Sequence, residues 1–237
     1  MDSFGLAEKA SLILFVALFS VWEAQRPARP QRGKFEVLDI VVVVNVGLFS
    51  VACKWLLTPS VGFESAPLGG LPLAAKIIAA LITIDFTLYW LHRSMHRPSL
   101  WNTHRFHHSV KDLDWLKGIY TSGTHIAIYV APQVLIGYYV FGFSRIEMAI
   151  AVVISYFVQL WQHANVTIDI GVLKYLFVTP QSHRIHHALG EEFRDKNFGA
   201  VFSVWDVLFG TYVAPSHEDY ELGTEDEVPI VRGLIGV

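Results

Sequence analysis

The sequence predicts an all-α integral membrane bundle of about four to five membrane helices, capped by a cytosolic helical domain that holds a histidine-rich dinuclear metal site. Three observations carry that expectation. Hydrophobic residues make up 53% of the chain against 16% charged, with a mean hydropathy of +0.41, too apolar for an ordinary water-soluble domain. Five apolar stretches approach the length needed to cross hydrocarbon. Nine of the eleven histidines fall into a repeated short-range pattern.

The apolar stretches run from Phe4 to Trp22, Val37 to Leu57, Leu73 to Leu91, His125 to Phe143 and Ile146 to Gln162. The first resembles a signal core from Leu12 to Trp22, but no basic residues lead it and no small-residue cleavage site follows, so a retained transmembrane helix is expected. Only Gly142-Phe143-Ser144 separates the last two, which suits a tight helical hairpin, and Pro132 is placed to kink the fourth. Arg26, Arg29, Arg32 and Lys34 fill the first connection, whereas Thr58 to Pro72 carries no Lys or Arg. By the excess of basic residues in cytoplasmic loops, the first connection lies inside and crossings alternate from it. The histidine-bearing regions after the third and fifth stretches then face the cytoplasm.

The whole chain, 1–237, reads as a single membrane-embedded unit, with a histidine-box core over 73–212 and a polar tail over 213–237. Short apolar pieces at Val172 to Val178 and Val201 to Gly210 suit interfacial or packed helices. The acidic end, with Glu218, Asp219, Glu221, Glu225, Asp226 and Glu227, is expected to be solvated, as is His217. Cys53 is the only cysteine, which excludes an intrachain disulfide and a thiolate cluster and leaves a small core residue. A net charge of −3 and a pI near 6.4 give no basic surface for nucleic acid.

The chemistry is concentrated in the histidines. His92 and His96 stand in HRSMH, His104, His107 and His108 in HRFHH, His163 in QHANV, and His183, His186 and His187 in HRIHH. Positions i, i+3 and i+4 share a helix face, so each H-x-x-H-H is expected to offer three imidazoles to a common point. One H-x-x-H is weak evidence of a metal, because a lone buried histidine is more often a satisfied core residue. Two matched triplets and a pair are different: nine buried imidazoles need partners, and metal ions supply them. Four to six donors saturate a first-row ion, so this many ligands imply two ions. Imidazole alone does not choose among iron, zinc, copper and nickel. No Asp or Glu lies inside the boxes, which favours an oxidation catalyst over a hydrolase needing a water-activating carboxylate.

Three further residues are candidates for orienting the ligands from behind. Asp85 lies two turns before His92 inside an apolar stretch, where a carboxylate to imidazole hydrogen bond is a common arrangement. His125 opens the fourth stretch as a ligand, a supporting donor or an interfacial anchor. Asn165 follows His163 in the same box. Tyr89, Trp90, Trp101, Phe106, Trp115 and Tyr120 are candidates to line a substrate cavity, with interfacial belt and core packing as the competing reading.

These boxes resemble those of the fatty acid hydroxylase and sterol desaturase superfamily. HRSMH followed by HRFHH is similar to its first two boxes, HAN at His163 to Asn165 to its third, and TPQSHRIHH to its last. NFGAVFSVWDVLFGTY resembles its closing segment, with Asn197, Gly199, Trp205, Asp206, Phe209, Gly210 and Thr211 in the expected places. One departure stands out: many members carry a further histidine where this chain has Thr167. The resemblance implies a helical membrane bundle capped by a cytosolic domain, two iron ions (zinc in a purified form), dioxygen as co-substrate, and a lipid that is hydroxylated or desaturated. It also implies a separate electron donor, a cytochrome b-type protein or a ferredoxin with its reductase, since no fused haem or flavin domain is visible. The competing class is a non-catalytic membrane metal-binding or transport protein, against which stands the grouping of histidines at one membrane face.

Overall fold

The structure, a computed structural model, describes residues 3–30, 35–58, 66–215 and 220–237. Arg32, Lys34, His217, Glu218, Asp219 and part of the Thr58 to Pro72 connection lie outside the described residues. Every expected apolar stretch is helical: α1 (Ser3–Gln25), α2 (Val37–Leu57), α3 (Leu73–Met95), α5 (Gly123–Leu135) and α6 (Arg145–His163). Shorter helices complete the chain: α4 (Trp101–His108), α7 (Pro180–His186), α8 (Val204–Phe209) and α9 (Ile230–Ile235). Among the described residues there is no strand, only an isolated bridge between Ala188 and Leu222.

Two helices, α2 and α3, are long and apolar enough to cross a membrane. Only 6% of the apolar window of α2 is buried, so most of its side chains lie on the outer surface, unlike those of a soluble core helix. Such a surface is stable facing lipid. The helices alternate in direction and bring their histidine-bearing ends together. α3 and α6 run the same way, their N-terminal ends joined by the Lys76–Glu147 ion pair at 2.7 Å. α5 runs back in the opposite direction, packed against α3 and against α2, whereas α1 packs along α6. The first two helices therefore flank the histidine-bearing three.

The hairpin between α5 and α6 forms as expected, with Gly142 at φ +59° taking the turn and Ser144 capping α6 through a reciprocal bond with Glu147. Pro132 does not break α5. The irregularity falls one turn later, where Ile136–Val140 widens into a π-turn.

The tail expectation needs correction. The Glu221, Glu225, Asp226 and Glu227 side chains are exposed, but the backbone that carries them is packed. Tyr220 and Leu222 join a buried cluster with Phe106, Val110, Leu113, Tyr120 and Ile185. Leu189 N donates to Glu221 O at 2.8 Å, and α9 packs on α4 and α5. Alternating apolar residues among the acids, too few to read as a helix or strand, supply that burial.

Candidate metal centre

The nine histidines predicted as ligands meet at one end of the bundle in two groups, each offering donor nitrogens within 4.8 Å of one another. One group is His92, His96, His104, His108 and His186. The other is His107, His163, His183 and His187. The triplets thus do not each serve one point. On a helix, i and i+4 differ by about 40° while i+3 lies about 60° to the other side of i. His104 and His108 accordingly face one group and His107 the other; His183 and His187 face the second group and His186 the first. Each H-x-x-H-H straddles both positions, in opposite senses.

Backbone carbonyls set the rings. His92 Nδ1 donates to Phe198 O at 2.8 Å, His107 Nδ1 to Tyr120 O at 3.0 Å, His163 Nδ1 to Gln159 O at 2.7 Å, and His186 Nδ1 to Lys196 O at 2.8 Å. A carbonyl only accepts, so in these four rings the proton sits on Nδ1 and Nε2 carries a lone pair. Those lone pairs converge. His163 Nε2 lies 3.1 Å from His107 Nε2, with no proton available between them. Across the other group, His92 Nε2 stands 2.9 Å from His104 Nε2, and His186 Nε2 stands 3.0 Å from His108 Nε2. In the His107–His163 pair, where carbonyls fix both tautomers, the facing lone pairs repel unless a cation lies between them.

Burial closes the alternative of simply protonating the rings. Removal from water, followed by mutual repulsion with neighbouring imidazoles, holds His104, His107, His108, His183, His186 and His187 well below the ordinary histidine pKa. They are neutral, as metal ligands must be. Both nitrogens of His187, Nε2 of His96 and Nδ1 of His183 are buried with no hydrogen-bond partner. Convergent, neutral, unpartnered imidazole nitrogens are the donor set that a pair of first-row metal ions fits.

The supports are local and partly hidden from sequence. Asn197, at φ +53°, anchors the 195–199 loop through Nδ2 bonds to Ser182 O and Val213 O, both at 2.9 Å. Asp206 accepts from Phe198 N, Gly199 N and Thr211 Oγ1 at 2.7–2.8 Å, fixing the carbonyl that orients His92. Asp85 differs from expectation: its carboxylate accepts from Val201 N, Phe202 N and Trp205 Nε1, and touches no histidine. It acts on the loop that holds the rings. Asn165 also contacts no imidazole, because its side chain is paired with the backbone of Arg29 at 2.9 and 3.1 Å. It fastens the end of α1 beside His163. His125 belongs to neither group; its Nδ1 is 3.1 Å from His104 Nδ1, behind that ring.

Two supports are not among the sequence candidates, although Asp39 offers the signal of an acid in an apolar stretch. Asp39, in the first turn of α2, accepts from Lys117 Nζ at 2.5 Å and from Tyr120 Oη at 2.6 Å, pinning the carbonyl that orients His107. Gly118 lets the same segment approach His163 so closely that a Cβ would lie 2.2 Å from the ring. Of the six aromatic candidates, Trp101 flanks His96 and His108 with ring centroids 5.2 Å away, whereas Phe106 and Tyr120 are core. Trp115 packs against the α1–α6 seam, and Trp90 meets Phe209 on the outer face of α3. Tyr89 donates its hydroxyl to Thr211 Oγ1 at 2.9 Å, since the Thr211 proton goes to Asp206. None of the six lines the cavity between α3, α5 and α6.

Residues 77–211 match the family model described as fatty acid hydroxylase, a span that contains all nine ligand candidates. The chain belongs to the fatty acid hydroxylase family. Within it, the chain is 29% identical to human alkylglycerol monooxygenase over 59% of its own length and 31% of the relative's. It is 34% identical to ornithine lipid hydroxylase OlsE of Rhizobium tropici, over 61% of this chain and 44% of that one. A very-long-chain aldehyde decarbonylase of Oryza sativa subsp. japonica is 28% identical over 65% of this chain and 27% of its own. The chain therefore spans less than half the length of each. No solved structure matches it at comparable stringency.

Proposed function

We propose that this fatty acid hydroxylase family member oxidises an unactivated C–H bond of a membrane lipid with dioxygen, at a centre of two iron ions held by the nine histidines. The observation that carries this reading is the pair of neutral imidazole groups, five and four, at one end of an apolar bundle. Such a set binds redox-active metal beside lipid and offers no carboxylate to activate a hydrolytic water. The relatives named for alkylglycerol and ornithine lipid support oxygen chemistry on a lipid.

The donor set fits iron: five facing Nε2 pairs lie 2.9–3.1 Å apart, close enough to share ions, and imidazole suits iron as it does zinc.

Two irons held there would supply the dioxygen reduction that no side chain performs, with one oxygen atom entering the C–H bond, the other leaving as water, and two electrons and two protons consumed. Desaturation takes two hydrogens from the lipid instead and releases both oxygens as water. The protein's part is to hold the rings by Nδ1, to keep bulk water out with the walls of α3, α5 and α6, and to position one carbon. Electrons come from a separate donor, a cytochrome b-type protein or a ferredoxin with its reductase.

All five long helices are membrane segments in this reading, with the histidine end cytoplasmic. Arg26 and Arg29 at that end support the orientation. With Cys53 replaced by alanine, a cysteine at Asp112 reacts with a membrane-impermeant label only after cells are opened; labelling of sealed cells would reverse the topology. Lipid analysis of cells with and without the gene, joined to metal analysis of the protein, tests the activity. A lipid heavier by one oxygen or lighter by two hydrogens is expected, with two irons per chain. Zinc-loaded protein and an unchanged lipid profile would favour a metal-binding or transport role.

A further inference from the structure

Glu23 is a carboxylic acid near the end of the apolar helix α1, and only 3% of it is exposed. A buried acid is costly without hydrogen-bond donors, so the donors it has collected show what holds it there. Its Oε1 accepts from Asn165 N at 2.7 Å and from Trp115 N at 3.0 Å. Neither donor belongs to α1: one lies two residues after His163, the other on the segment that leads to Gly118 and Tyr120. α1 itself lies outside residues 77–211, the span that matches the family model.

The apolar face of α1 delivers the acid to this place. Phe19, one turn earlier and fully buried, packs with Leu160, Ala164 and Val166. Trp22 meets Trp161 with ring centroids 6.0 Å apart. Beyond the end of α6 the chain is then gripped from two helices. Asn165 gives its N–H to Glu23 of α1, and its carbonyl accepts from Ala28 N at 2.9 Å. Ala164 O and Val166 O accept from Arg184 of α7, at 2.9 Å from Nη1 and 3.0 Å from Nη2. His163 is thus fixed by what holds the three residues that follow it.

The second bond of Glu23 reaches the opposite wall of the same group. Further along from Trp115, Gly118 lies against the His163 ring and its carbonyl accepts from Gln159 Nε2 at 2.9 Å. Tyr120 O then accepts from His107 Nδ1 at 3.0 Å. One carboxylate oxygen therefore ties the segment that orients His107 to the segment that follows His163, two rings whose Nε2 atoms stand 3.1 Å apart. Neither donor belongs to α3, which carries His92, or to the 195–199 loop.

We propose that Glu23 is a positioning residue for the four-imidazole group: from a helix outside the span matched to the family, it sets His107 and His163 against each other, and it acts on that ion position rather than on the five-imidazole one. The proposal rests on the dinuclear reading for the ions, while the tie itself stands on the two hydrogen bonds. Leucine in place of Glu23 leaves two backbone N–H groups without their acceptor, so the two segments part and the facing nitrogens lose their common point.

The test is anaerobic titration of the metal-free full chain, in lipid nanodiscs, with iron(II) alone, resolving the two binding steps. His163→Ala and His92→Ala identify which step belongs to which group. Glu23→Leu is expected to weaken the His163 step about 10- to 100-fold, as loss of a partner behind a ligand does, and to leave the His92 step at its normal affinity. Glu23→Gln, which keeps an oxygen able to accept both N–H groups, falls between the unaltered chain and Glu23→Leu. Glu23→Met serves if the leucine variant fails to insert. Placed in the His163→Ala chain, Glu23→Leu changes nothing further in the remaining step, whereas a general loss of folding lowers it. In a chain that binds two ions, weakening of both steps alike, of the His92 step alone, or of neither overturns the proposal and leaves the dinuclear reading standing. Fewer than two ions in the unaltered chain would break the dinuclear reading and this proposal with it.

Discussion

His92, His96, His104, His108 and His186 close on one point with five imidazoles, whereas His107, His163, His183 and His187 close on the other with four. The five-membered group hangs from the end of α3 and the 195–199 loop, and reaches the surface at His96, whose Nδ1 lies 3.4 Å from the exposed Asp195. The four-membered group is wholly buried, wedged between the end of α6, α7 and the Gly118 segment. A first-row ion accepts up to about six donors, so an ion held by the four imidazoles would keep more room for an exogenous ligand than one held by the five. Thr167, which stands where the family resemblance implies a further histidine, offers no imidazole; its hydroxyl accepts from Arg184 at 3.3 Å.

The sharpest way to break the comparison is to remove one ligand from each group. His107→Ala and His186→Ala are each expected to abolish lipid oxidation, and the double variant to be no worse than either, since residues of one cooperative centre are grossly non-additive. Metal analysis on inserted, helical protein decides; active His107→Ala protein with both ions would defeat the dinuclear assignment. Gly118→Ala comes next. Its Cβ would press on His163 at 2.2 Å, so the variant should lose about 1–3 kcal/mol of stability and release the four-imidazole ion while keeping the other. Retention of both ions would show that the segment yields more readily than its packing implies.

Asp85→Asn targets the other side. Keeping size but placing an NH2 against N–H donors loosens the 198–202 segment and, through Phe198 O, the His92 ring; activity should fall about 10- to 100-fold with a much smaller change in thermal midpoint. A proportional loss of folded protein and activity would reduce Asp85 to a packing role. The smallest effect belongs to Asp195→Asn. Asp195 sits at φ +57°, which asparagine tolerates, and its side chain is 61% exposed, so solvent screens the pair with His96 and turnover should change less than about five-fold. A larger loss would make the surface end of the five-imidazole group more important than its exposure suggests.

The ligands were legible because chemistry restricts them to one residue type and a helix restricts them to i, i+3 and i+4. Their division between two points was not read, although the angles of His104, His107 and His108 contain it. The supports were legible only where a side chain performs them. Phe198, Tyr120, Gln159 and Lys196 orient rings with backbone oxygens, which every residue possesses, so their identities say nothing. Asp85 was noticed for being charged in an apolar helix, but its partners come from residues far along the chain, beyond any local pattern. Asp39 is likewise an acid in an apolar helix, but it opens α2 far from any histidine in sequence, and only folding brings its Lys117 and Tyr120 partners beside it. The helices were legible from apolar length; the packed 220–237 segment was not, because its few buried residues are spread among exposed acids.

The ligands of each group come from elements far apart in the sequence: α3, α4 and α7 for one, α4, α6 and α7 for the other. Inside lipid, helices gain little from hiding apolar surface against one another, because the surrounding tails are equally apolar. An ion held in each group would act as a cross-link that closes a long loop, and metal affinity would become cohesion among helices that could otherwise drift apart in the plane of the bilayer. Loading such a chain with metal is, in this sense, the last step of its assembly.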